Sequence, residues 1–274
     1  MTTPHGGNAA ASANADAPTC TCEPSSYAFV SPPPPTHQFA PLADVRRVLV
    51  RGSPLAELLR ESYNIILEAL NRYGPEGLAL SFNGGKDCTV LMHLMYAARE
   101  QHAQENPTAD VQPIRIKTLY VAHTDSFPEV DEFVAYCEPR YGLDLVKIYG
   151  PMREGIQSFL DRYPEVHAML VGTRRTDPFG ESLVPFQPTD NGWPHLMRVH
   201  PILDWDYAQI WQAMDELRIP HCVLYEHGYT SLGGIENTQP NPVLRNPDAR
   251  CGYDPAHKLT DGGKERDGRI KKRP

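Results

Sequence analysis

The chain has 274 residues, of which 41% are hydrophobic and 27 are proline, and its formal net charge is −8. This length carries one large or two small domains, and the absence of any run of 18 apolar residues predicts no membrane span. The acidic balance excludes a general nucleic-acid binder, which needs a basic face, but leaves room for a nucleotide ligand held by a few arginines and a metal ion.

Residues 1–41 are rich in Ala, Pro, Ser, Thr and Asn, with Pro32 to Pro35 in a row. They predict a disordered tail with a short polyproline segment. No Lys or Arg precedes Arg46, which argues against a transit peptide or a secretory signal. The six cysteines, Cys20, Cys22, Cys88, Cys137, Cys222 and Cys251, form no C-x-x-C pair or zinc spacing. Scattered thiols of this kind fit a reducing compartment, and a cytoplasmic location is expected.

Ser53-Pro54 supplies an N-cap and a first-turn proline, and Leu55, Leu58, Leu59, Ser62, Ile65, Ile66, Ala69 and Leu70 follow at helical spacing. Gly74-Pro75 is the expected stop. Residues 77–82 read as a strand, followed by the turn Asn83-Gly84-Gly85-Lys86-Asp87 and a helix to about His102. Strands are expected over 114–122, 143–149 and 167–171, with helices over 128–141 and 152–162. Alternation of this kind predicts an α/β fold with an open, mostly parallel sheet covered by helices on both faces. Residues 181–204 read as irregular, 206–217 as an amphipathic helix, and 219–274 show little periodicity before the basic end Arg269 to Arg273. The expected organisation is the tail 1–41 and one domain 42–274, split into a nucleotide-binding core 42–205 and a C-terminal helix with substrate loops 206–274.

A strand, a glycine turn and a helix N-terminus form a phosphate site by geometry, because the first amides of the helix lack intrahelical partners. The turn is not a Walker A loop, since Gly85-Lys86 is followed by Asp87 where that loop has Ser or Thr. Gly84 and Gly85 let the backbone approach a pyrophosphate, Ser81 donates a hydrogen bond, and Lys86 adds charge. Asp87 would repel phosphate directly and is better suited to hold Mg²⁺. In a parallel sheet the ligand lies beyond the carboxyl ends of the strands, which groups Ser81–Cys88, Val121–Phe127 and Gly172–Gly180. Within the last, Arg174 and Arg175 are candidate anion ligands and Asp177 a second metal or base-edge contact. Trp193 suits either a core position or stacking on a flat ligand.

Ser81-Phe82-Asn83-Gly84-Gly85-Lys86-Asp87 resembles the S-x-G-G-K-D loop of the ATP-pyrophosphatase and phosphoadenylylsulfate-reductase-like superfamily. Together with Gly172–Glu181, Thr189–Pro194, Arg198–Trp205, Tyr229–Gly233, Asn237-Thr238 and Asn241-Pro242, the pattern resembles the eukaryotic, yeast-type FAD synthase (FMN adenylyltransferase) family from about residue 50 onward. The resemblance implies adenylyl transfer from ATP to FMN, giving FAD and pyrophosphate with Mg²⁺, by in-line attack of the FMN phosphate and without a covalent enzyme intermediate.

It implies an ATP site of Ser81, Asn83, Gly84, Gly85, Lys86, Asp87, Arg174 and Asp177, with Asp87 and Asp177 on the metal. It also implies a flavin side of Asp190, Trp193 and Arg198 on an otherwise irregular C-terminal part. Asp190, Arg198, Arg266 and Arg269 are the implied catalytic residues. The stretch His123–Phe127 departs in detail from the family pattern. ATP and FMN are the expected small-molecule partners; no protein, nucleic-acid or membrane partner is evident.

Two other readings stand beside this one. A phosphoadenylylsulfate reductase needs a Glu-Cys-Gly-x-His context, and Arg250-Cys251-Gly252-Tyr253-Asp254 lacks the flanking Glu and His. A non-catalytic nucleotide-binding module is the third reading, against which the full set Ser81, Asp87, Asp177, Asp190 and Arg198 argues.

Overall fold

The computed structural model describes residues 39–107, 113–122 and 124–270. The predicted tail up to residue 38 with its polyproline run, His123, and the basic end over 271–273 lie outside the described residues.

The first helix, α1 (Pro41–Leu49), buries Leu42, Val45 and Val48 at helical spacing. Phe39 packs ahead of it against Tyr96 and Tyr141, with ring centroids 5.3 and 5.0 Å away. Residues 39–41 therefore belong to the packed structure, although they lie inside the span expected as tail. Pro41 starts the helix there, at the end of a proline-rich stretch that masks it in the sequence. In α2 (Pro54–Gly77) Ser53 Oγ accepts the Ala56 amide at 3.1 Å, as its N-cap position requires. The expected stop at Gly74 is a kink, with φ 71° at Gly74 and one further turn running into β1 (Leu78–Ser81).

The chain continues through α3 (Lys86–Glu105), β2 (Ile116–Ala122), α4 (Pro128–Arg140), β3 (Leu143–Tyr149), α5 (Met152–Arg162) and β4 (Ala168–Leu170). The interval 181–204 is not irregular, as its sequence suggested. It contains β5 (Phe186–Pro188) and β6 (Met197–Val199). Three residues are too few to display alternation, and Pro188 is tolerated because β5 is an edge strand. α6 (Tyr207–Glu216) follows with a capping box between Asp206 and Gln209, and short 3₁₀ turns carry the rest of the chain.

The sheet order is β3-β2-β1-β4-β6-β5, parallel throughout except for the antiparallel pair β5–β6. Side chains alternate between the two faces. Leu78 and Leu80 join the larger core, together with residues of α1, α2, α3, α4 and α6. Ala79, Leu119 and Met169 join a smaller cluster with Phe159 of α5 and Tyr163. Helices thus cover both faces, but unequally. The winding direction reverses between β1 and β4, which opens a crevice at their carboxyl ends. No helix among the described residues is long and apolar enough to cross a membrane.

Candidate active site

A cavity of about 370 Å³ occupies that crevice. The glycine turn forms one wall and is held by its own side chains. Asn83 Oδ1 accepts the Gly85 amide at 3.0 Å and the Cys88 thiol at 2.9 Å. Thr89 Oγ1 donates to the Gly85 carbonyl at 2.7 Å, and the Tyr225 hydroxyl, from beyond α6, accepts the Lys86 amide at 2.8 Å. Gly84 sits at φ 74°, and a Cβ there would lie 3.1 Å from Val130 Cγ1, so glycine is required on both counts. The amides of Asp87 and Cys88, both at the cavity wall, have no backbone acceptor among the described residues. These are the donors the turn offers an anion. Burial pushes the Cys88 thiol up to about 12, so it is a neutral hydrogen-bonding group and not a nucleophile.

Behind the turn lies a buried ion cluster that joins residues far apart in sequence. Lys86 and Arg174 are each 1% exposed. The Lys86 ammonium contacts Glu265, Asp87 Oδ2 at 3.2 Å and the Thr230 carbonyl at 3.3 Å. Arg174 Nη2 donates to Glu265 Oε1 and Oε2 at 2.8 and 2.6 Å, and its Nε is 2.9 Å from Asp87 Oδ1. Asp177 accepts the Arg174 amide at 2.9 Å and lies 3.6 Å from its guanidinium. Two cations thus face three carboxylates. Asp87, Asp177 and Glu265 line the cavity and Arg174 does not. The sequence reading had Lys86 and Arg174 meeting phosphate directly; in this structure both side chains hold carboxylates. Burial raises the Asp177 pKa, and the nearby carboxylates Asp87 and Glu265 add to the rise.

The neighbouring Arg175 serves a different purpose. It pairs with Asp204 and donates to the carbonyls of Glu181 and Leu183 at 3.1 and 2.9 Å, which ties down the loop after β4. Arg266 lines the cavity. Arg269 Nη1 donates to the Leu232 carbonyl at 2.6 Å, and its guanidinium packs closely over Gly233. Asn241 is fully buried and fastens this segment, donating to Thr230 Oγ1 at 2.9 Å and to the Lys264 carbonyl at 2.8 Å.

Asp190 and Trp193 belong to the loop of the β5–β6 hairpin. Thr189 closes it by donating its amide to the Leu196 carbonyl at 2.9 Å and its hydroxyl to the Pro194 carbonyl at 2.7 Å. Arg198, on β6, donates to the Pro188 carbonyl at 3.0 Å and lies 3.5 Å from Asp190. None of the three lines the phosphate cavity. Trp193 is 40% exposed and, with Arg153, Glu154 and Gln157 of α5, borders a second, open hollow of about 820 Å³. Consecutive residues at the start of α5 line the two hollows, Met152 the first and Arg153 the second.

Sequence reasoning gave no site role to Tyr225, Thr230, Asn241 or Glu265. Thr230 and Asn241 stood inside the family pattern and Glu265 beside Arg266, whereas Tyr225 carried no signal. For a metal ion, no group of three or more His, Cys, Asp or Glu side chains among the described residues is arranged to hold one alone. Mg²⁺ commonly takes one or two protein carboxylates and completes its shell with substrate phosphates and water. The hard oxygens of Asp87 and Asp177, in a cluster with one negative charge in excess, fit that pattern.

Comparison with known proteins gives one consistent result. The profile of the phosphoadenosine phosphosulfate reductase domain matches residues 77–160 and 153–240. A probable FAD synthase of Schizosaccharomyces pombe is 42% identical over 82% of this chain and 86% of its own length. The flavin adenine dinucleotide synthase of Saccharomyces cerevisiae is 34% identical over 74% of this chain and 71% of its own. The crystal structure of Candida glabrata FMN adenylyltransferase in complex with FAD and inorganic pyrophosphate superposes with a TM-score of 0.77 at 28% identity, covering 85% of this chain and 96% of that one. Sequence similarity and the structural superposition agree, and the chain belongs to the FAD synthase family.

Proposed function

We propose that the chain transfers the adenylyl group of ATP to FMN. An FMN phosphate oxygen attacks the α-phosphorus, the bond from that phosphorus to the bridging oxygen breaks, and pyrophosphate leaves with the electron pair. The observation that carries this reading is the glycine turn, of which Asn83, Gly85, Lys86, Asp87 and Cys88 line a cavity also lined by Asp177, with the Asp87 and Cys88 amides taken up by no backbone acceptor. Amides of this kind suit a pyrophosphate, and the carboxylates suit its counter-ion.

Both reactants are anions, so catalysis rests on bringing them together and on stabilising charge as it moves to the leaving group. Mg²⁺, held by Asp87 and Asp177 when bound, would neutralise phosphate charge. Arg266, at the cavity wall, is placed to meet phosphate oxygens. Trp193, which borders the hollow beside α5, is assigned to the flavin ring together with Asp190 and Arg198 of the same hairpin, and Arg269 to holding the loop over 231–234. The buried, neutral Cys88 thiol supports direct transfer without an enzyme-bound intermediate. Cys251, the residue a reductase reading would need, does not line the cavity. The buried thiols Cys88, Cys137 and Cys222, none in a disulfide, support a cytoplasmic location.

The test is incubation with ATP, FMN and Mg²⁺. FAD and pyrophosphate are expected in equal amounts, and consumption of ATP without FAD would overturn the reading.

A further inference from the structure

Glu265 has no role in the reaction as described so far, yet it is the centre of the buried ion cluster. It is 8% exposed and stands 179 residues from Lys86 and 91 from Arg174. Its Oε1 accepts from both the Lys86 ammonium and the Arg174 guanidinium, and its Oε2 accepts from Arg174 again. The three protons of Lys86 are then all engaged, by Glu265, Asp87 and the Thr230 carbonyl. A buried cation without such partners would be strongly unfavourable.

The consequence concerns the phosphates. With Glu265 present, Lys86, which lines the cavity, has all three donors engaged, and Arg174, which does not line it, is held through its Nη2. The wall presents the carboxylates of Asp87 and Asp177, each fixed by Arg174. Without Glu265, both cations would turn to those two carboxylates or to the substrate. Glu265 also anchors its own segment, because its carbonyl accepts from Thr230 Oγ1 at 2.6 Å, and the next residue is Arg266 at the cavity wall.

We propose that Glu265 is a positioning residue for adenylyl transfer. It occupies Lys86 and Arg174 so that they do not seize the triphosphate or the product pyrophosphate, and it keeps Asp87, Asp177 and Arg266 in register for the transferring group. The proposal rests on the adenylyl-transfer reading, but part of its test does not.

The test compares wild type with Glu265→Gln, which keeps the shape and removes the charge. Pyrophosphate binding is measured by calorimetry in the presence of a chelator, and kcat is measured with ATP, FMN and Mg²⁺. The expected result is a split: metal-free pyrophosphate binds about 10-fold tighter, the equivalent of ~1.4 kcal/mol, while kcat falls by roughly 10²-fold, the size of effect a small misplacement produces. Tighter binding with unchanged kcat would make Glu265 only a source of charge and overturn the proposal. Unchanged or weaker binding with a lowered melting temperature would make it only structural and overturn it too. Should Glu265→Gln not fold, Glu265→Asp is measured in the same way. It keeps the charge but is too short to span both cations, and the same split is expected at smaller size. A wild type that forms no FAD would defeat the adenylyl-transfer reading, whereas the chelator titration judges Glu265 separately.

Discussion

His200 is buried, and burial together with the nearby charge of Arg198 pushes its imidazole down to about 4. An unfolded histidine takes up its proton near 6.5, so between these values the unfolded chain binds a proton that the folded chain refuses. The resulting stability is fully present above about pH 6.5 and is lost as the pH falls toward 4. A series of thermal melts across that window should show the wild-type melting temperature falling with pH, and His200→Gln should flatten the slope. An equal slope in the variant would remove His200 as a cause of the acid sensitivity.

Asp177 makes a different kind of contribution. Asp177→Asn removes one of the two carboxylates proposed to hold the metal, so the Mg²⁺ concentration for half-maximal activity should rise about 10-fold, a factor equivalent to ~1.4 kcal/mol; an unchanged Mg²⁺ titration would reject its metal role. Residue types at the turn were legible in the sequence, because Asp87 in place of a hydroxyl separates this loop from a Walker loop. The partners of Lys86 were not. Its carboxylate lies in a region without periodicity, and only the folded chain shows that the lysine faces inward.

At the scale of elements, Ser53 is the clearest local device. Its hydroxyl satisfies the Ala56 amide at the start of α2, the helix that leads directly into β1. Ser53→Ala should cost about 1 kcal/mol, which corresponds to a fall of roughly 2–4 °C in melting temperature for a domain of this size. Calorimetry of the variant checks this, and no shift would mean that the cap is replaced by water. The long elements were legible because each repeats its apolar positions several times. Strand β3 and helix α5 fall where the pattern put them. The β5–β6 hairpin was not legible, since its strands are three residues long and proline-punctuated. Missing it hid the fact that Asp190 and Trp193 share one hairpin loop.

In the proposed reaction the whole molecule would bring two substrates to one sheet edge by two separate routes. The parallel sheet would supply the ATP side at the reversal between β1 and β4, a placement that follows from topology and was foreseeable from alternating strands and helices. The proposed flavin side would depend on the hairpin loop and on the segment from Tyr229 to Arg269, which is fixed by Asn241, Thr230 and Glu265. That segment is made of turns and single hydrogen bonds, so its course was not readable before the fold was known.

The central claim is that the adenylyl group passes directly from ATP to FMN across this edge. Incubation with FMN, Mg²⁺ and ATP labelled with ³²P at the α-phosphorus measures it most directly. The account predicts label in FAD, unlabelled pyrophosphate in equal amount, and no label on the protein after denaturation. Label recovered on the protein, or only in AMP, would contradict it.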